Sequence, residues 1–129
     1  MIPDYFVALV KQYANLVSSQ EAELVTRQIS KSLQLTLDQD SSKILFGYAP
    51  SYLNIERPIF FSHLRAKTVK YNHSTLISRI QKEQSLTDIL EANNRLKAYF
   101  LAIKVVMGDK RYSSMLSVLP SELQATLQS

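Results

Sequence analysis

The chain carries a weak internal repeat at an offset of 70 residues, and this repeat limits the fold more than any other feature. Sliding the sequence against itself by 70 positions aligns apolar residues in the same order without a gap, for example Leu33 with Ile103. Six positions are identical, and they are Leu16, Glu21, Ala22, Pro50, Ser51 and Leu53 with their partners 70 residues later. The pattern predicts two similar halves built from the same elements.

Apolar residues within each half recur every three or four positions, which is the spacing of an amphipathic helix. The predicted apolar stripes consist of Phe6, Val10, Tyr13 and Val17 in the first half, and of Ile89, Ala92, Leu96, Tyr99, Ile103 and Val106 in the second. Side chains that can cap a helix precede the two long stripes, at 18–21 and 85–88. The sequence therefore predicts long helices from about Ser19 to Leu37 and from about Thr87 to Met107.

A short polar turn and a shorter helix follow each long helix in this prediction. Gly108 suits the end of the second long helix, because glycine adopts positive φ without steric cost. The short helices are predicted at about Ser41 to Tyr48 and about Tyr112 to Val118, and Pro50 and Pro120 can each begin a further turn. No alternating apolar pattern bounded by turns is present in the sequence, so no strand is predicted.

The length of 129 residues suits one domain with one hydrophobic core. With 46% hydrophobic residues, 2 Gly and 4 Pro, the composition is typical of a folded chain and not of a disordered one. We therefore expect a single all-α domain over 1–129, a single-core helical bundle in which approximately 1–56 and 73–129 form the two halves. The intervening joint, 57–72, is predicted to be helical to about Val69.

Each half ends in a polar turn, a small helix and a segment similar to Leu-Pro-x-Glu-Leu. The clearer copy runs from Gly108 to Leu123, with the sequence GDKRYSSMLSVLPSEL, and a weaker copy, DQDSSKILFGYAPSYL, runs from Asp38 to Leu53. In this pattern the chain resembles the bacterial family called domain of unknown function 2267. The resemblance implies a short helical protein of two similar halves, and it supplies no catalytic residues. The weaker copy departs from the family pattern, with Ala49-Pro50 in place of Leu-Pro.

The cellular compartment is predicted from cysteine usage and from the N-terminal stretch. The chain has no cysteine, which excludes disulfides, thiolate metal sites and cysteine nucleophiles. Asp4 stands where a signal peptide has basic residues, and no segment is long and apolar enough for a membrane span. We expect a soluble, cytoplasmic protein without membrane contact.

Motifs for catalysis or metal binding are weak in this sequence. Asp38, Asp40 and Ser42 imitate the start of a calcium loop, but the sixth position is Lys43 and the twelfth is Ala49, so a helix cap is the better interpretation. The two histidines, His63 and His73, are ten residues apart and lack the spacing of a metal pair on one helix. No Gly-x-Ser-x-Gly elbow or glycine-rich phosphate loop is present, so we predict no enzyme activity, no metal and no cofactor.

Positive charge is concentrated in one segment. Between residues 57 and 82 the net charge is +6, compared with −2 before this segment and 0 after it. The six basic residues are Arg57, Arg65, Lys67, Lys70, Arg79 and Lys82. They can contact phosphates, although the same charge density is common on a solvated helix face. An anionic partner would require Lys67, Lys70, Arg79 and Lys82 to line one exposed patch.

Two function classes remain open from the sequence. The leading hypothesis is a protein-protein interaction or scaffold module, either a monomer or a homodimer, in which a groove between paired helices receives a segment of another protein. The alternative is an accessory protein that binds an anionic polymer, such as a nucleic acid, through the basic 57–82 segment.

Overall fold

Seven α-helices and one 3₁₀ turn form the regular structure in a computed structural model that describes residues 2–55 and 70–129. In chain order they are α1 Asp4–Tyr13, α2 Ser19–Thr36, α3 Gln39–Tyr48, the 3₁₀ turn Ser51–Leu53, α4 His73–Glu83, α5 Ile89–Met107, α6 Asp109–Leu116 and α7 Ser121–Gln128. Neither described stretch contains a strand, and the predicted all-α fold is confirmed. The helix predicted for the joint falls on 56–69, outside the described residues. No described helix has the length and apolarity that a membrane crossing requires.

Side-chain caps determine where the two long helices begin. The Ser18 hydroxyl accepts a hydrogen bond from the backbone N–H of Glu21 at 3.1 Å before α2. The Asp88 carboxylate accepts one from the N–H of Leu90 at 2.8 Å before α5. Each cap satisfies one of the N–H groups that the first turn of a helix leaves without an intrahelical partner. The long helices accordingly lie close to their predicted positions.

Gly108 forms the junction between α5 and α6. Its φ of 89° and ψ of 155° lie in a region that only glycine adopts without strain, so the chain can end one helix and begin the next without an intervening loop. Arg111 then fastens α6 to α3, because its Nη2 donates to the Tyr48 carbonyl at 3.2 Å and its guanidinium lies 5.3 Å from the centre of the Tyr48 ring.

The element boundaries repeat at the offset of 70 residues. The elements that begin at residues 4, 19, 39 and 51 are followed by elements that begin at residues 73, 89, 109 and 121. The turns after α1 and α4 also share one backbone form: Asn15 and Ser85 have φ values of 56° and 53°, and the N–H groups of Leu16 and Leu86 each donate over 2.9 Å to the carbonyl five residues earlier. Superposition of whole halves about a two-fold axis stays a prediction.

Each of the short helices α1 and α4 packs on both long helices. α1 contacts α5 as well as α2, and α4 contacts α2 as well as α5. The long helices α2 and α5 contact each other, and α3 contacts α6. One core therefore takes side chains from both ends of the chain, and its fully buried members include Phe6, Ile29, Leu33, Leu76, Ile80, Leu96, Tyr99 and Ile103.

Three members of the predicted apolar stripes are exposed instead of buried. Val17 is 91% exposed because Asn15, with positive φ, turns the chain out of α1 before Val17 is reached. Ile89 is 56% exposed at the first residue of α5. Tyr13 is 39% exposed at the last residue of α1, where it borders a surface cleft.

Candidate functional site

A surface cleft of about 440 Å³ lies between the C-terminal end of α1 and the outer face of α5. We call this cleft the open corner, and its lining residues are Tyr13, Ala14, Asn15, Glu91, Asn94, Lys97, Ala98 and Leu101. Its volume is within the range of about 300–1,000 Å³ that is common for ligand pockets. The open corner is therefore large enough to receive a side chain of another molecule.

The end of α1 shapes one wall of the open corner. Asn15 takes the left-handed conformation, so the chain leaves the helix one turn before it would cover α5. The Tyr13 side chain remains 39% exposed and faces Leu101 of α5, which is 43% exposed. Val105, one turn further along α5, is 54% exposed. Three large apolar side chains thus lie at or next to a cleft that the described protein leaves unfilled.

The residues 70 positions away form the matching junction between α4 and α2. We call this junction the closed corner, and it consists of Glu21, Leu24, Arg27, Gln28, Lys31, Glu83, Gln84 and Ser85. Here the Gln28 amide donates to the Glu83 carbonyl at 3.3 Å, and Arg95 Nη1 donates to the Gln84 side-chain oxygen at 2.9 Å. Long polar side chains bridge the end of α4 to the long helices.

The two corners differ at the positions that determine whether the space is filled. Gln28 corresponds to Ala98, which is 1% exposed, and Gln84 corresponds to Ala14. The exchanges at the rim are from Glu83 to Tyr13 and from Lys31 to Leu101, and the one in the opposite sense is from Leu24 to Asn94. Truncation of two glutamines to alanine leaves the open corner empty, and two of three rim exchanges make it more apolar.

Charge also differs between the corners. In the closed corner, Arg27 pairs with Glu23 at 3.3 Å across one turn of α2. The corresponding residues on α5 are Lys97 and Asn93, and the Asn93 amide donates to the Ile89 carbonyl instead. Across residues 2–55 and 70–129, no carboxylate lies within 4.0 Å of the Lys97 ammonium. The open corner therefore keeps one positive charge available to a ligand.

The predicted anion-binding residues are only partly described. Arg57, Arg65 and Lys67 lie outside the described residues. Lys70 and Lys82 are exposed at opposite ends of α4, about 16 Å of helix apart, and Arg79 approaches Glu83 at 3.9 Å. The acidic partner reduces the positive charge at the C-terminal end of α4. A single patch that includes Lys67 stays a prediction.

His73 is a residue whose role the sequence analysis missed, since it predicted only a solvated or capping histidine. Its Nδ1 lies 2.6 Å from the Tyr71 hydroxyl, and its Nε2 lies 2.9 Å from the Thr126 hydroxyl. The imidazole thus joins the start of α4 to the C-terminal helix α7. Burial lowers the pKa of His73, and the nearby Glu122 carboxylate opposes this effect.

We expect acidification to destabilise the wild-type protein more than the His73→Gln variant. Because the pKa of His73 is lowered in the folded state, the unfolded chain binds a proton more readily. The stabilising contribution is complete above the usual histidine pKa of about 6.5 and is lost as the pH falls through the lower folded value. Urea unfolding of both proteins between about pH 8 and pH 5 measures this difference. An identical pH dependence of the two proteins would contradict it.

The remaining predicted motifs have structural roles or no ligand geometry. The Asp38 carboxylate accepts a hydrogen bond from the N–H of Ser41 at 3.2 Å and caps α3, which confirms the helix-cap interpretation. The described parts of the chain contain no group of three or more His, Cys, Asp or Glu side chains arranged for a metal ion. His63 lies outside these parts.

Comparison with known proteins adds no functional label to this geometry. No protein family, curated protein or solved structure matches the chain. The contrast between Gln28 and Ala98 is readable from the repeat register alone, and it is the sequence signal that would have indicated the open corner.

Proposed function

We propose that this chain is a helical protein-binding module, and that the open corner receives a side chain from a segment of a partner protein. The observation that carries the proposal is the contrast between the two corners. The same helix junction occurs twice, so the requirements of folding are similar at both places. Only the open corner combines small residues, Ala14 and Ala98, with the exposed apolar residues Tyr13 and Leu101.

This arrangement supports protein binding because of its chemistry. Exposed aromatic and aliphatic side chains around a cleft are typical anchors of protein interfaces, where Tyr is among the enriched residues. Asn15, Asn94 and Lys97 supply a polar rim that can orient a bound segment. The proposal treats the chain as a binding protein and not as an enzyme. It includes a cytoplasmic location and membership of the domain of unknown function 2267 family as further proposals.

Photo-crosslinking at matched positions tests the proposal. Benzoylphenylalanine replaces Tyr13 in one protein and the corresponding Glu83 in another, and each is irradiated in extracts of the cells that produce the chain. We expect a protein adduct from position 13 that persists after nuclease treatment, and little or none from position 83. Adducts of equal yield from both positions, or none from position 13, would contradict the proposal.

A surface substitution gives a second measurement on the same partner. Leu101→Lys places in the open corner the residue that the closed corner has at position 31. Since Leu101 is 43% exposed, the variant should remain folded while its affinity for the crosslinked partner falls by about tenfold or more. Lys31→Ala is the matched control and should bind as the wild type does.

A further inference from the structure

The closed corner indicates what kind of group fits the open one. At the C-terminal end of any α-helix, the last carbonyl groups have no partner within the helix. The Glu83 carbonyl at the end of α4 accepts its hydrogen bond from the Gln28 side-chain amide at 3.3 Å. The corresponding carbonyl in the open corner belongs to Tyr13, and the methyl group of Ala98 cannot donate to it. A ligand with a carboxamide can therefore occupy the place that Gln28 takes in the closed corner.

The walls of the open corner limit the neighbours of that carboxamide. Lys97 lies one turn from Leu101 on α5, and its charge is not paired with a carboxylate of the described residues. Glu91 already pairs with Arg95 at 3.3 Å. An acidic group on the ligand therefore complements Lys97, whereas a lysine or arginine would meet an uncompensated positive charge. Next to this position, Tyr13 and Leu101 favour an apolar side chain.

We propose that the open corner binds a glutamine side chain from a partner protein segment that also carries one acidic and one apolar residue beside the glutamine. The glutamine amide donates to the Tyr13 carbonyl, the acidic residue pairs with Lys97, and the apolar residue packs on Tyr13 and Leu101. Glutamine fits better than asparagine because Gln28 needs its full length to reach the Glu83 carbonyl from the adjacent helix. This inference rests on the proposed function and specifies the partner's chemistry.

Short peptides provide the probe. Blocked tripeptides of leucine, glutamine and glutamate, in both residue orders, are titrated into the isotope-labelled full-length chain and followed by NMR to about 10 mM, a range in which weak fragment binding is measurable. We expect shift changes at Tyr13, Asn15, Asn94 and Leu101, and none at the closed corner. Replacing glutamine by methionine, or glutamate by lysine, should each weaken binding by about tenfold, the effect of one lost polar contact.

Two variants test the same site from the protein side. Ala98→Gln supplies from within the chain the amide that the ligand is proposed to bring, so peptide binding should be lost. Because Ala98 is buried, Leu101→Lys serves as a second variant at an exposed position, and it should weaken binding of the glutamate peptides by like-charge repulsion with the acceptor site's Lys97 and loss of apolar contact. Lys31→Ala in the closed corner is the control and should leave the shifts unchanged.

The outcomes separate this inference from the proposed function. Equal binding of the glutamine and methionine peptides, binding that survives Ala98→Gln in a folded protein, or no shift at the open corner would overturn the glutamine proposal. If a protein adduct still forms at position 13 in any of these cases, the protein-binding function stands with a different ligand chemistry. If no adduct forms at position 13, the proposed function itself fails.

Discussion

Truncating Leu33 or Ile103 to alanine should lower the free energy of unfolding by about 2 to 5 kcal/mol, the usual cost for a buried Leu or Ile. Both side chains are fully buried, and they occupy corresponding positions on α2 and α5. Each truncation removes apolar contacts and leaves a cavity that the packed helices cannot close completely. Urea unfolding followed by circular dichroism measures the loss in each variant.

The matched control for these truncations is Val105→Ala on the same helix as Ile103. Val105 is 54% exposed, so its truncation should change the free energy of unfolding by no more than about 0.5 kcal/mol. A loss below about 1 kcal/mol at both Leu33 and Ile103 would mean that the predicted stripes, and the register that relates them, are wrong.

Replacing Tyr99 by phenylalanine should destabilise the protein by about 1 to 3 kcal/mol, although the aromatic ring is kept. The Tyr99 hydroxyl lies 2.7 Å from the Ser30 hydroxyl, and both residues are fully buried between α5 and α2. Burial raises the pKa of Tyr99, so its hydroxyl stays protonated and able to donate at neutral pH. Tyr99→Phe therefore leaves the Ser30 hydroxyl buried without this partner.

A double-mutant cycle separates this hydrogen bond from general packing. Ser30→Ala alone should also destabilise the protein, because it leaves the Tyr99 hydroxyl without its partner. The double variant should lose clearly less stability than the sum of the two single variants, since neither partner then remains unsatisfied. Additive losses in urea unfolding would indicate that the 2.7 Å contact contributes no specific coupling.

The fold was predictable from the sequence wherever the signal was local. Capping side chains at Ser18 and Asp88, and the glycine at position 108, determine where helices begin and end, and each acts within one turn. Apolar periodicity was less reliable at helix ends. Val17 and Ile89 continue the three-to-four-residue spacing, but the backbone turn at Asn15 and the first residue of α5 place them in solvent.

The candidate site was not predictable from local patterns, because it forms between elements that are distant in the chain. Tyr13 and Leu101 lie on α1 and α5, and no periodicity within one helix states which other helix will pack against it. The charge-based prediction directed attention to residues 57–82, of which 57–69 lie outside the described parts. The cleft instead depends on an absence of bulk at Ala14 and Ala98, which no motif of reactive side chains records.

The packing of α1 against α5 has a consequence for synthesis on the ribosome. The two helices are separated by more than 70 positions in the chain, so α1 leaves the ribosome long before α5 has been translated. Until then, the apolar faces of α1 and α2 have no complete surface to cover them, and early segments with exposed apolar surface are prone to misassociation. We expect the newly made N-terminal segment to depend on chaperones or on rapid translation until α5 emerges and the core can close.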